Sequence, residues 1–387
     1  MARRAEFLPF SPPSLTELEV DAVVDTLRSN WITTGPKTKR FEQEFADFLG
    51  VPVALALNSC TAGLHLALAA LDMGPGDEVI TTPITFAASV NVIEHVGATP
   101  VLADVEPDTL NISPQAVEAA ITPRTRALMP VHYTGHPVDM QPLLELARLH
   151  NLRIIEDAAH AFPAAYNGQK IGGIGDFTAF SFYATKNLTT GEGGMLTGDP
   201  DLLDRARILS LHGMSKDAWK RYDHNGSWYY EIVEPGYKYN MTDIQAALGL
   251  VQLARIETLQ QRRREVVAAY NAAFGALAEA ECPVTRSNVD HAYHLYPLRL
   301  NLEKLSLDRA QFINELRERN IGSSVHFIPI HSHPYYQHKY AWQPNDFPVA
   351  WREYQRLVSL PLHPGLTDDD VQAVINAVVD IVERFKC

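Results

Sequence analysis

The chain has 387 residues, 46% of them hydrophobic, and a formal net charge of −13 from 33 basic and 46 acidic side chains. That length allows a large core and a second lobe, and that charge argues against a general binder of nucleic acid or of anionic membranes. Three scattered cysteines (Cys60, Cys282, Cys387) form no CxxC pair, so neither a disulfide framework nor a zinc site is suggested, and a reducing compartment fits.

No apolar run approaches the roughly 18 residues of a membrane span. The opening MARRAEFLPFSPP lacks an adequate apolar core for a signal peptide. A soluble, cytoplasmic protein is expected. A first helix is predicted from Ser14 or Thr16 as N-cap, with Leu18, Val23, Val24 and Leu27 on its apolar side. The loop WITTGPK (31–37) follows, then a helix marked by Phe41, Phe45, Phe48 and Leu49. The loop reads as a ligand contact or as a plain connection.

Residues 51–57 read as a buried strand and 61–71 as a helix rich in Ala and Leu. Between them lies Asn58-Ser59-Cys60-Thr61. Small residues at a helix N-terminus suit a phosphate, because free N–H groups and the positive dipole end gather there. Simple N-capping by Ser59 or Asn58 explains them equally well. Strands at 78–81, 99–104, 127–131 and 152–156 then alternate with helices at 86–96, 113–120 and 140–150. This rhythm argues for a largely parallel sheet covered on both faces, and ligands of such sheets sit beyond the strand C-ends. Asn58, Thr85, Phe86, His132, Asp157 and Lys186 fall at those ends.

Asp157 ends the strand LRIIED, behind Ile154, Ile155 and Glu156, so it needs a cationic or protonated partner, or serves as a cap or salt bridge. His160 lies three residues on, and a lone histidine is as readily structural as functional. In DFTAFSFYATKNLTTGEGGM (176–195), an apolar run ends at one lysine, Lys186, beside a glycine-rich turn. The pattern fits a surface lysine at a strand end. It also fits a desolvated amine of lowered pKa, as Schiff-base chemistry requires. The aromatic and basic stretch 212–231, with Lys216, Lys220 and Arg221, suits stacking on a planar group and gripping phosphates. A capped helix or helix pair follows from Thr242 or Asp243.

A smaller lobe is placed from about residue 255 to 387, after a large domain over 1–254. Its expected elements are a strand within HAYHLYPLRL (291–300), a helix over 308–320, a short strand in GSSVHFIPIHSHPYY, and a final helix capped at Thr367 by T-x-x-D. His326, His331 and His333 have no supporting carboxylate or cysteine spacing, so no metal is expected.

Taken together, NSCTAGLHLAL, TTPITFAASVN, VHYTGHPVDM, IIEDAAHA, FSFYATKNLTTGEGGM and GYKYNMTDIQAALGL resemble the DegT/DnrJ/EryC1/StrS family of sugar aminotransferases. The likeness runs from WITTGPK to SLPLHPGLT, nearly the whole chain. It implies an α/β fold of the fold-type I, aspartate aminotransferase-like class, with a large, mostly parallel seven-stranded sheet and a smaller C-terminal α+β domain. It also implies pyridoxal 5′-phosphate (PLP) as cofactor.

By that resemblance Lys186 binds the cofactor covalently and moves the proton, and Asp157 partners the pyridine nitrogen. Phe86 stacks on the ring, and His160 lies near the phenolic oxygen. Ser59, Cys60, Thr61 and Ser181 match phosphate-binding positions. Asn240 or Lys238, in GYKYNM, reaches the phosphate from a neighbouring subunit, so a homodimer with shared active sites is implied. Thr33, His326 and His331 are expected toward the substrate. Relatives that dehydrate sugars carry histidine where this chain has Lys186, so transamination is implied, from a donor expected to be L-glutamate to a nucleotide-linked keto sugar. By resemblance, several stretches favour a UDP-linked 4-keto pentose, or a related UDP-, GDP- or dTDP-linked 4-keto-6-deoxy sugar. A 3-aminotransferase on a dTDP- or UDP-3-keto sugar is the alternative, and a PLP-binding regulatory protein without turnover is the alternative of another class.

Overall fold

The structure, a computed structural model, describes residues 4–215 and 229–387. The expected contacts of Lys216, Lys220 and Arg221 lie outside the described residues. In chain order the first elements are α1 (Glu17–Arg28), α2 (Pro36–Leu49), β1 (Ala54–Leu57), α3 (Cys60–Ala70), β2 (Glu78–Thr81), α4 (Ala88–His95), β3 (Thr99–Leu102), α5 (Pro114–Ala120), β4 (Thr125–Leu128), α6 (Met140–His150) and β5 (Arg153–Asp157). Then come β6 (Ala165–Tyr166), β7 (Gln169–Lys170), β8 (Phe177–Ser181), β9 (Gly194–Gly198), α7 (Pro200–Leu209), α8 (Asp243–Ala254) and α9 (Ile256–Phe274). The remainder is β10 (Ala280–Glu281), β11 (Val289–Asp290), β12 (Tyr296–Leu300), α10 (Arg309–Glu318), α11 (Pro334–Tyr340), α12 (Pro348–Arg356), β13 (Leu357–Leu360) and α13 (Asp368–Phe385).

Seven strands form one sheet in the order β1-β9-β8-β5-β4-β2-β3, and β9 alone runs antiparallel to its neighbours. Successive side chains of a strand point to opposite faces, and both faces here are apolar. Ala54, Ala56, Ile80, Leu128, Ile154, Phe180 and Met195 pack under α2, α6 and α8. Leu55, Leu57, Val79, Ala127, Ile155, Ala179 and Leu196 pack under α3, α4 and α7. On the first face the ring of Phe45 lies 4.9–5.6 Å from those of Phe162, Phe180 and Phe182. Burying each such ring contributes about 1.5–3 kcal/mol.

A second core is built on the antiparallel sheet β10-β12-β13, with Val266–Phe274 of α9 and residues of α10 and α13 packed against it. Leu8 of the N-terminal arm belongs to this core. Its N–H donates to Asn320 O and its carbonyl accepts from Gly322 N, both at 2.8 Å. Helix α9 runs from one core, at Ile256, into the other, at Val266. Reciprocal capping boxes start α8 at Thr242, α10 at Asp308 and α13 at Thr367.

Two sequence expectations differ from the structure. In α1 the side toward α8 buries Glu19 and Thr26, while Leu18 and Leu27 are 60% and 52% exposed. Glu19 is held there by Arg255, by Gln252 Nε2 at 2.6 Å and by Thr16. Periodicity shows where apolar residues gather on a helix but not which surface a neighbour covers. The short strand expected near Val325 does not form either. A single bridge, Ser324 to Ser359, precedes a segment that leaves β13 and carries His326 and Phe327 into a cleft.

The loop 31–37 is explained by packing. Gly35, the N-cap of α2, has no side chain to offer. The buried Asp243 carboxylate accepts from Gly35 N (2.8 Å), Lys37 N (3.0 Å), Thr38 N (2.9 Å) and Thr38 Oγ1 (2.7 Å). Asp243→Ala strands these donors, and should cost about 2–4 kcal/mol in equilibrium urea unfolding. A loss below about 0.5 kcal/mol would contradict this account.

Candidate active site

The C-terminal ends of five strands, β1, β2, β4, β5 and β8, converge on one cavity of about 510 Å³. After β1 the chain turns at Asn58 into α3, with Ser59 as extended N-cap and its hydroxyl accepting from Ala62 N at 3.1 Å. Among the described residues no protein acceptor takes the N–H of Cys60 or Thr61. A backbone runs very close to this helix end. A Cβ on Gly194 would stand 2.5 Å from Ser59 C and 2.6 Å from Cys60 N, so only glycine fits. The Cys60 thiol points inward and donates to Ala179 O at 3.4 Å, leaving the backbone amide as the group Cys60 presents.

Strands β5 and β8 are parallel neighbours, with Asp157 opposite Ala179. Asp157 and the turn after Ser181 therefore open on the same edge. Asp157 is 4% exposed. Its Oδ2 accepts from Ser89 Oγ at 2.7 Å and its Oδ1 from Ala159 N at 3.1 Å. Ser89 is held in turn by Thr85 Oγ1 at 2.8 Å. Lys186 follows in a turn closed by Phe182 N to Gly193 O and Thr190 N to Phe182 O, both 2.9 Å. Its amine forms no ion pair among the described residues.

The electrostatics follow from desolvation. Burial pushes the Asp157 carboxyl above its usual range, opposed by the Ser89 hydrogen bond and the charge on Lys186. Burial lowers the Lys186 ammonium to about 8, against the pull of Cys60 and Asp157. Three imidazoles complete the wall. Burial, then the charge on Lys186, holds His160 and His294 well below the ordinary imidazole range and His326 at about 4. All three are neutral at pH 7. His160 Nδ1 accepts from Thr134 N at 3.3 Å, so Nε2 carries the hydrogen. Tyr133 donates to His326 O, and His326 Nδ1 lies 2.9 Å from Ser359 Oγ.

A model of the DegT/DnrJ/EryC1/StrS aminotransferase family matches residues 13–379. The chain belongs to this family. It is 53% identical to the spore coat polysaccharide biosynthesis protein SpsC of Bacillus subtilis over 98% of each chain. It superimposes with a TM-score of 0.91 on Spr1654 from Streptococcus pneumoniae in its PMP form, 39% identical over 98% of each chain. It also superimposes with a TM-score of 0.90 on PseC from Helicobacter pylori, an aminotransferase involved in the biosynthesis of pseudoaminic acid. PseC is 32% identical over 98% of this chain and 100% of its own. The fold-type I architecture expected from the sequence is the one observed.

Of the residues singled out by the family motifs, Ser59, Cys60, Thr61, Phe86, Asp157, His160, Ser181, Lys186 and His326 line this one cavity. Phe86 stands at its rim, 65% exposed, with Phe327 6.1 Å away. Four others do not line it. Thr33 lies in the exposed loop ahead of α2, and its carbonyl accepts from Asp243 N. Lys238 is exposed, and Asn240 Nδ2 donates to Thr34 Oγ1 at 2.7 Å, beside β1. His331 is fully buried in another cluster, 5.0 Å from the Phe347 ring and 6.1 Å from that of Trp351. It does not line this cavity, because the chain turns away at Pro329 and Ile330 into the packing beside α12.

Sequence reasoning missed Ser89, Phe327, Asn187 and His294. Ser89 and Asn187 lie inside the family-like motifs and His294 and Phe327 in HAYHLYPLRL and GSSVHFIPIHSHPYY, but the contacts that place them are long-range. One prediction follows from the desolvated amine. In the cofactor-free protein, trinitrophenylation of Lys186, followed by peptide mass spectrometry, should show a midpoint near pH 8. Asp157→Asn removes an anion that raises this value, so its midpoint should fall further. A midpoint near the ordinary lysine value in the parent protein would refute the assignment.

Proposed function

We propose that the chain is a cytoplasmic, PLP-dependent aminotransferase that moves an amino group from L-glutamate to a nucleotide-linked keto sugar, with a 4-keto sugar, such as a UDP-linked pentose, the first choice. The observation that carries this reading is one cavity with a desolvated amine and a desolvated carboxylate among its lining residues, and a helix N-terminus with uncommitted amides on its wall. The residues present fit PLP. When bound, that group supplies an electron sink at the carbon that gains or loses the amino group.

The chain's own residues then have definite tasks. The Cys60 and Thr61 amides, with the Ser59 and Ser181 hydroxyls, hold a phosphate at the positive end of α3. Asp157, as a carboxylate, would accept a hydrogen bond from a protonated ring nitrogen, whose charge would offset the burial penalty on its own. His160 Nε2–H donates to a phenolic oxygen, and Phe86 covers the ring. At a pKa of about 8 the Lys186 amine is unprotonated in roughly a tenth of molecules at pH 7. That suffices for it to attack a carbonyl and to carry a proton at the reacting carbon. The sugar acceptor is supported by the relatives' names: SpsC belongs to spore coat polysaccharide biosynthesis, and PseC to that of pseudoaminic acid. PLP is supported by the PLP and PMP forms of Spr1654.

A homodimer with shared sites completes the reading. Among the described residues lining the cavity Lys186 is the only lysine or arginine, while Asp157 and Glu192 are acidic. A diphosphate and a dicarboxylate donor both need further cations. Leu15, Leu18, Val20, Leu27, Trp31 and Ile32 are all exposed on the protomer, an apolar surface that suits a second copy. Lys238 and Asn240, which do not line their own cavity, suit a role at the partner's.

The direct test is to load the protein with L-glutamate and offer UDP-, GDP- and dTDP-linked 4-keto and 3-keto sugars, following return of the PLP absorbance. One 4-keto sugar should react, and Lys186→Ala should abolish every turnover. Reaction with none, or full activity in that variant, would overturn the proposal. Sedimentation at assay concentration should show a dimer, and a fully active monomer would refute the shared site.

A further inference from the structure

Hydrogen-bond geometry behind the cavity wall settles which nitrogen of His294 carries its hydrogen. Gln260 Nε2 donates to His291 O at 3.1 Å and Ala292 O at 2.9 Å, so Gln260 Oε1 faces Asn187. Asn187 Nδ2 donates to Ala292 O at 2.7 Å and to that Gln260 oxygen at 3.4 Å. The Asn187 amide is thereby oriented, with Oδ1 3.2 Å from His294 Nδ1. An amide oxygen only accepts, so Nδ1 of His294 holds the hydrogen and Nε2 the lone pair.

His294 is 5% exposed and lines the cavity. Its Nε2 has no hydrogen-bond partner among the described residues. The ring stands 4.5 Å, centroid to centroid, from that of His160, and its partner Asn187 directly follows Lys186. The backbone is built to hold it there. His294 N donates to Thr134 O at 2.9 Å, and the buried Arg263 donates to Leu362 O at 2.9 Å and to the carbonyls of Tyr293 and His294.

We propose that His294, oriented by Asn187 and Gln260, contacts the substrate, with Nε2 accepting a hydrogen bond from a hydroxyl of the sugar acceptor close to its keto carbon. This rests on the sugar-acceptor reading above. The Cys60 and Thr61 amides, the Ser181 hydroxyl and the Lys186 amine are donors that the reading above gives to the cofactor; among the lining side chains left for the sugar, Glu192 offers a charged acceptor and His294 a neutral one. A hydroxylated ring also needs an acceptor. A desolvated lone pair welcomes a hydroxyl hydrogen and repels a carboxylate. His294 therefore acts on the sugar half-reaction and not on the glutamate one.

Two experiments test this. In cofactor-free protein labelled with 15N-histidine, long-range 1H–15N spectra should show His294 protonated at Nδ1 and unprotonated at Nε2, with the signal assigned by its loss in His294→Gln. The opposite tautomer would overturn the proposal. In loaded protein, His294→Asn ends the side chain at the Nδ1 position, while His294→Gln restores an acceptor near Nε2. The first should lower kcat/KM for the best keto sugar of the panel by about tenfold or more, with the L-glutamate half-reaction within about twofold of the parent. The second should recover most of that loss. Equal losses in both half-reactions, or no rescue by glutamine, would make the role structural and end the proposal. A parent protein that takes amino groups from L-glutamate yet passes them to no nucleotide keto sugar would overturn the sugar reading itself, and this contact with it.

Discussion

A carboxylate and an amine are taken out of water in the same cavity. Each charge is costly there, and each pKa moves toward the neutral form: Asp157 upward, Lys186 down to about 8. Water would remove the cost, and so would an ion pair, yet the fold supplies neither in full. Asp157 has one hydroxyl and one amide as close donors, with the Cys60 thiol 4.0 Å from its Oδ1. Lys186 is set on a turn closed by backbone bonds. The arrangement leaves two desolvated, reactive groups on the wall of one cavity. Much of the surrounding structure serves to hold them so.

The sheet provides the frame. Parallel neighbours β5 and β8 deliver Asp157 and the Lys186 turn to one edge, and β9 returns antiparallel so that Gly194 packs directly under the first amides of α3. A side chain at 194 would push the helix end away from the cavity. The turn after β4 is hydrogen-bonded to segments on either side of the second core. Tyr133 holds His326, Thr134 holds His160 and His294, and a Cβ on Gly135 (φ +97°) would stand 2.8 Å from His160 O. One turn after β4 thus places three imidazoles. The N-terminal arm adds a further tie. Leu8 sits in the second core, the ring of Phe10 stacks on that of His326 at 5.3 Å, and Ser11 Oγ donates to Thr185 O next to the lysine.

Several features were legible in the chain because they are local. The β–α alternation, the capping boxes at Thr242 and Thr367, and the polar residues at strand ends all rest on neighbours a few positions apart. Asp157 and Lys186 stood out for a similar reason, Lys186 as a single charge after an apolar run and Asp157 as the charged end of the strand LRIIED. Strand β9 was less visible, since two of its five residues are glycines. The short strand near Val325 was expected from composition, but the segment leaves its partner to reach the cleft. His331 was drawn toward the substrate by motif analogy, while the fold buries its ring between Phe347 and Trp351.

By itself the sequence determined the class of fold, and it marked the lysine, the aspartate and the helix end that the structure brings to one cavity, because hydrophobic period, caps and turn residues act over a few residues. Tertiary structure alone decided which side of α1 is covered, that Ser89 fastens Asp157, and that Asn187 and Gln260 orient His294. Those outcomes depend on pairs of groups tens to more than a hundred residues apart, brought within 3–4 Å by the order of strands in the sheet and by the meeting of two cores. A linear pattern carries no record of such distances. The desolvation that shifts Lys186 and Asp157 is of the same kind, since it arises only when the walls of the cavity are assembled around them.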